Sequence, residues 1–252
     1  MKKHIILTLS LLTVVLFSSL TGLGQDISKA HKYPGRKYPP TPEVKSKVIG
    51  VNSNTIKASA GSIAVAENPT YNLMTPEQLV RNVLVTGCLQ TSNIKYGYYK
   101  KNTGNTWTWV DHVWSTIPGD RQMGYFEKGT SNFPIDKGLI LATGKISSAM
   151  GPNTVGNKSD KMVSAANDPD LSKITAKTMY DASTLEFDFV PAGNTLEFKY
   201  IFTSEEYIEY CETEFNDAFG FFLSGPGISG TFSNNAVNLA TIPGNIPVSI
   251  NT

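Results

Sequence analysis

Histidine is nearly missing from this chain. Three occur in 252 residues, and His4 and His31 fall outside any stretch that could close a core, which leaves His112. A single histidine excludes a His-rich metal site and leaves little for a Ser-His relay. There is no G-x-S-x-G elbow, no phosphate-cradling glycine loop and no dinucleotide fingerprint. Charge of one sign is missing too: 22 basic against 21 acidic residues give a net charge of +1 and a pI near 7.7. That balance gives no electrostatic footing for nucleic acid. No apolar run reaches the ~20 residues of a membrane-spanning helix; the longest, residues 5–20, is shorter and is softened by Thr and Ser.

That run has another use. Lys2, Lys3 and His4 form a basic start before it, and the small residues Gly22 and Gly24 follow it. This is the pattern of a secretory signal peptide over residues 1–24, with Gln25 as the mature N-terminus. No cysteine stands directly after the run, which argues against a lipid-anchored start. The mature chain is therefore expected outside the cytoplasm, secreted or on the cell surface, with no membrane span.

The cysteines fit that compartment. Cys88 and Cys211 are the only two, and an even count in an exported chain predicts a disulfide between them. Its long loop would be worth roughly 5 kcal/mol by chain entropy. Residues 25–71 read as a linker: the first 36 hold seven Lys or Arg against two acids, with Pro34, Pro39, Pro40 and Pro42. Aliphatic content there is too low to close a core, so an extended, disordered segment is expected.

Folding signals start near Asn72. Thr75, Pro76 and Gln78 make an N-cap, a first-turn proline and a capping box, with Met74 and Leu79 spaced as a hydrophobic staple. A second short helix is predicted from Asp168-Pro169, carrying Leu171 and Ile174. The remainder reads as strands. Leu185, Phe187 and Phe189 alternate with acids, and after a Pro-Ala-Gly-Asn turn so do Leu196, Phe198, Tyr200 and Phe202 with Glu197 and Lys199. These two runs are expected to pair as a hairpin. Further strands are predicted at 89–96, 122–127, 138–143, 218–224 and 237–242. The fold class is mainly β: an antiparallel β-sandwich or jelly roll with one or two short helices. Residues 247–252 read as a strand just being entered, so the domain 72–252 is expected to be incomplete at its C-terminus.

Two stretches carry candidate chemistry. Residues 204–217 hold Glu205, Glu206, Glu209, Glu212, Glu214 and Asp217 without one Lys or Arg. Such crowding needs solvent, a cation or a basic partner. Glu205, Glu206, Glu209, Asn216 and Asp217 are hard oxygen donors of the type Ca²⁺ takes, but their spacing matches no EF-hand. The other reading is a solvated turn in which Asn216 and Asp217 cap backbone groups before the next strand. Two facing carboxylates in this loop would also suit a glycosidase, a geometry that the clustering neither shows nor excludes.

The second stretch is aromatic. Trp107, Trp109 and Trp114 fall within eight residues of one another, close after Tyr96, Tyr98 and Tyr99. Residues 98–109 predict a hairpin turning at Thr103-Gly104-Asn105, which puts Trp107 and Trp109 on one face. Exposed, they form with Tyr98 a stacking platform for a sugar ring or a protein surface; buried, they cover an end of the sandwich.

The runs MTPEQLV (74–80), GLILATG (138–144), LEFDFVP (185–191), SEEY (204–207) and FNDAFGFFLSGPG (215–227) resemble the choice-of-anchor L domain of exported bacterial surface proteins, many from Bacteroidetes. The resemblance runs from about Asn72 to the end. It implies a secreted or surface-displayed module with varying C-terminal anchors and no established catalytic mechanism. The stretch 98–120 is longer than the pattern it resembles. The reading is thus a non-catalytic surface module for adhesion or binding, the alternative an extracellular carbohydrate-active enzyme using carboxylates of residues 205–217.

Overall fold

The computed structural model describes residues 3–10, 13–23, 43–48, 61–87, 89–151, 160–163, 166–191, 193, 195–204 and 216–252, with backbone alone for 4–10, 13–23, 43–48, 86, 87 and 166. In chain order the early strands are β1 (Lys3–Ser10), β2 (Thr13–Leu23), β3 (Glu43–Val48), β4 (Ala64–Val65) and β5 (Val85–Gly87). Then come β6 (Gln90–Lys101), β7 (Trp107–Asp111), β8 (Met123–Glu127), β9 (Lys137–Ala142), β10 (Ala166–Asn167) and β11 (Ser183–Val190). The last are β12 (Thr195–Ser204), β13 (Ala218–Ser224), β14 (Val237–Asn238), β15 (Thr241–Ile242) and β16 (Ile246–Ser249). Three short helices, α1 (Pro69–Asn72), α2 (Pro76–Leu79) and α3 (Pro169–Thr175), lie among them.

The strands form two sheets. The first runs β10-β6-β11-β1-β13-β16-β15, with β7 beside β6 and β14 beside β13; the second runs β3-β12-β2-β9-β8-β4, with β5 beside β2. Pairing is antiparallel except for β12 with β3 and β2 with β5. Between the sheets lies the main core. Leu185, Phe187, Phe189, Phe219, Phe221 and Leu223 face it from the first sheet, and Leu139, Leu141, Leu196, Phe198 and Tyr200 from the second. Phe198 meets Phe221 edge-on at 4.0 Å and Tyr200 meets Phe219 at 5.1 Å, so the aromatic rings interlock across the layers. Burying each such side chain removes apolar area worth about 2–3 kcal/mol.

Consecutive strands β11 and β12 do not pair with each other, which corrects the hairpin expectation. β11 lies between β6 and β1, and β12 between β2 and β3. Period-2 alternation specifies which face of a strand is apolar but not its neighbour. Crossing from one sheet to the other turns both oily faces toward a shared core, a better burial than lying side by side.

The helix signals hold. Thr75 and Gln78 make the reciprocal capping box ahead of α2, which runs on through a π turn over Val80–Leu84 before β5 begins. Asp168 caps α3, accepting from the backbone N–H groups of Asp170 and Leu171. Helix α3 lies on the outer face of the first sheet, where Leu171 packs with Ala218, Phe222, Met179 and Ala236. Gly220 lets it approach: a Cβ there would meet the Phe222 ring at 2.3 Å and Leu171 at 3.2 Å.

Ordered structure begins ahead of Asn72, since β4 pairs with β8 and α1 packs against the sandwich through Tyr71, stacked on Tyr125 at 3.8 Å. Within the stretch read as linker, β3 pairs in parallel with β12. Residues read as a signal peptide supply the central strands of both sheets, β1 between β11 and β13 and β2 between β12 and β9.

Candidate functional site

The aromatic stretch folds as the sequence suggests. Lys101 pairs with Trp107 and Tyr99 with Trp109, and the turn uses left-handed backbone at Gly104 and Asn105. Asn102 N–H donates to Thr106 O at 2.8 Å, closing it. Direct pairing puts Lys95, Tyr99, Lys101, Trp107 and Trp109 on one face of the β6–β7 ribbon. Both indoles are half-buried.

The Trp109 indole is held in place. Trp109 lies over Gly97, where a Cβ would come within 2.8 Å of its ring. Its Nε1–H donates to Asp111 Oδ1 at 2.7 Å, and Tyr99 meets it edge-on at 5.1 Å. Lys95 Nζ stands 5.6 Å from the Trp109 ring and Lys101 Nζ 5.7 Å from the Trp107 ring. The arrangement is a rigid aromatic strip flanked by cations, with the Trp109 N–H already bonded. Whatever docks there meets ring faces and ammonium groups.

Tyr98 is not part of this strip. It points to the opposite face, 5.1 Å from His112, whose ring also lies 4.8 Å from Tyr96. Tyr96 meets Trp114 edge-on at 5.9 Å, and the Arg121 guanidinium sits 4.2 Å above that indole. Adjacent strand residues point to opposite sides, so Tyr99 takes the place expected of Tyr98. Burial pushes the His112 imidazole down to about 4, so it is neutral at neutral pH and serves as packing.

Behind the strip is a buried acidic patch that the sequence did not reveal. Tyr99 Oη donates to Glu186 Oε1 at 2.6 Å, and Lys95 Nζ approaches Glu186 Oε2 at 4.0 Å. Because β10 pairs Asn167 with Tyr99, the cap residue Asp168 comes alongside. Glu186 and Asp168 are each only 2% exposed. Burial raises the Asp168 carboxyl to about 7, opposed by the N–H bonds of Leu171 and Asp170 and reinforced by the charges of Asp170 and Glu186. Asp170 is answered by Lys173 Nζ at 2.8 Å and by the Ser233 backbone N–H and hydroxyl, both at 3.0 Å. Burial and Glu186 raise the Tyr99 phenol as well, keeping it a donor. Alternation alone placed Glu186 on the charged face of its strand; the Tyr99 hydroxyl that meets it lies 87 residues away in sequence, and Asp168 is close enough to feel its charge.

Of the expected calcium donors only two are placed. Asn216 Oδ1 accepts from the Asn251 backbone N–H at 3.3 Å, and buried Asp217 Oδ2 accepts from Ser204 Oγ at 3.4 Å. The Asp217 carbonyl also takes the Ile250 N–H at 3.0 Å. These contacts clasp the loop ends and the C-terminal residues together. Glu205, Glu206, Glu209, Cys88 and Cys211 lie outside the described residues. Among the described residues no group of three or more His, Cys, Asp or Glu could hold a metal ion, and no helix is long and apolar enough to cross a membrane.

The architecture is a two-layer β-sandwich with an aromatic strip on the β6–β7 ribbon. The chain belongs to the choice-of-anchor L domain family, whose model matches residues 65–252, about three quarters of its length. Domains of this family are surface-associated modules, and the family is not a known enzyme family. No curated protein and no solved structure matches the chain.

Proposed function

We propose that this chain is an exported, surface-displayed, non-catalytic module that binds an extracellular glycan or protein surface through the outer face of the β6–β7 ribbon. The observation that carries this reading is the pair Trp107 and Trp109 on one face, both half-exposed, with Trp109 fixed in orientation by Gly97, Tyr99 and Asp111 and Trp107 lying beside Lys101. Rigid indoles supply contact area at little entropic cost on binding, and surface tryptophans tend to dominate the energy of an interface. Lys95 and Lys101 favour acidic partners over neutral ones. In this reading the acidic stretch 204–217 faces solvent, and its described ends, Ser204, Asn216 and Asp217, are held by hydrogen bonds to one another and to the C-terminal residues.

The test is binding of the purified protein to an array of bacterial and extracellular-matrix polysaccharides, repeated with Trp107→Ala and Trp109→Ala. Loss of binding by at least tenfold with unchanged melting temperature supports the reading. Binding that survives both substitutions removes it.

A further inference from the structure

Strand β7 lies at an edge of the first sheet. Among the described residues it pairs with β6 alone. The ladder between them shows which backbone groups are left over. His112 N–H donates to Tyr96 O at 3.1 Å, and Asn102 N–H donates to Thr106 O at 2.8 Å. Hydrogen-bonded and open pairs alternate along an antiparallel ladder, so Thr108 and Val110 are the residues that bond to β6. Trp107, Trp109 and Asp111 therefore turn their N–H and C=O groups outward, and among the described residues no backbone group meets them. Natural edges are blunted by proline, lysine or a bulge. Residues 107–111 have none of these. Their one charge is Asp111, at the end of the strand, and Val113 just beyond it is 92% exposed.

What fits this edge is the same edge reversed. Laid antiparallel with Trp109 opposite Trp109 of a second copy, all five residues pair. Trp107 then stands opposite Asp111 at each end, and Thr108 opposite Val110. The outward groups of Trp107, Trp109 and Asp111 all fall into hydrogen-bonded pairs, and the Trp109 rings form an aromatic cross-strand pair. The charges agree as well. Lys101 lies directly across from Trp107 on β6, so Asp111 of the second copy comes into line with it on the other side of Trp107. The two backbones are about 10 Å apart there, and the charges are little screened at low salt. The two Asp111 residues stay at opposite ends of the ladder, whereas a register that set them face to face would bring like charges together.

We propose that two copies of this chain associate through β7, edge to edge about a two-fold axis, so that their first sheets become one. Main-chain hydrogen bonds supply the affinity, and the Lys101–Asp111 alignment at each end fixes the register. Trp107 and Trp109 of both copies then form one strip of four indoles across the axis. The association joins backbone edges and does not depend on what the strip binds. Five residues a side is small against a standard interface of about 1,600 Å². The pair is therefore weak and reversible in dilute solution, and is strengthened when copies stand side by side on one surface.

Sedimentation equilibrium of the purified protein at low salt, across the micromolar range, is the test. The expected result is a reversible monomer–dimer equilibrium. Asp111→Lys sets a lysine against Lys101 of the other copy, and Lys101→Glu sets a glutamate against Asp111. Each variant alone should dimerise about tenfold more weakly than wild type. Both side chains are exposed, so the melting temperature of each monomer should stay that of wild type. Mixed in equal amounts, the two variants should regain the wild-type affinity, because both ends of the mixed pair again set unlike charges in line. Monomer throughout the range overturns the proposal. A dimer indifferent to both substitutions overturns it too, since its interface lies elsewhere, as does a mixture that dimerises no more tightly than either variant alone.

Discussion

The two faces of the β6–β7 ribbon are built from the same residue types and do opposite work. On the inner side Tyr96, Tyr98, His112 and Trp114 pack against one another, and Tyr96 reaches the main core. On the outer side Trp107, Trp109 and Tyr99 stand half-exposed under lysines, backed by buried carboxylates. Aromatic content alone therefore says little about binding; what separates the faces is which side the sandwich covers.

The largest effect should come from breaking the inner face. Tyr96→Ala should destabilise the fold by about 3–5 kcal/mol, as for other large core truncations. Trp107→Ala on the outer face should cost under about 1 kcal/mol. Chemical denaturation of the two variants measures both, and equal costs would mean that the outer indole is also structural.

The next effect concerns the carboxylate behind the outer face. Asp168→Ala removes the cap of α3 and should cost about 1 kcal/mol, whereas Asp168→Asn keeps the acceptor and should cost less. Thermal melting of both at acidic pH, where the wild-type carboxyl is neutral, separates capping from charge. A larger loss in Asp168→Asn than in Asp168→Ala would contradict the capping role.

The faces should also respond to pH with opposite sign. The folded Asp168 carboxyl sits at about 7, above its ordinary 3.8, so its contribution is present in full below 3.8 and is lost as pH rises toward 7. The folded His112 imidazole sits at about 4, below its ordinary 6.5, so its contribution is present above 6.5 and is lost as pH falls toward 4. Between pH 4 and 6.5 the two oppose each other. Relative to wild type, Asp168→Asn should lose more stability on acidification and His112→Gln should lose less. Parallel curves for all three proteins would show that neither group titrates as its burial requires.

The smallest effect expected is at the acidic stretch 204–217. Asn216 and Asp217 are already bonded to Asn251, Ile250 and Ser204, so millimolar calcium against chelator should leave the melting temperature unchanged. A rise of several degrees, reduced in Asp217→Asn, would make this stretch a cation site.

How much of this was legible in the sequence follows the distance over which each feature is decided. The capping box of Thr75 and Gln78, the Asp168 cap and the turn at Gly104-Asn105 are local, and all three stand where the residues put them. The sandwich class was legible because alternation marks the apolar face of each strand. Partner choice was not: β11 and β12 read as a hairpin yet sit in different sheets. The burial of Glu186 was hidden for the same reason, since its partner Tyr99 lies 87 residues away. Tyr98 and Tyr99 exchanged roles because a one-residue difference in register turns a side chain to the other face.

The account stands or falls on the outer indoles as a contact surface. The direct measurement is binding to the polysaccharide array by wild type, Trp107→Ala, Trp109→Ala and Tyr98→Ala, each with its melting temperature recorded alongside. The account predicts binding lost in both tryptophan variants, kept in Tyr98→Ala, and melting temperatures for Trp107→Ala and wild type within a few degrees. Binding that persists without Trp107 and Trp109, or that disappears only with Tyr98, would contradict it.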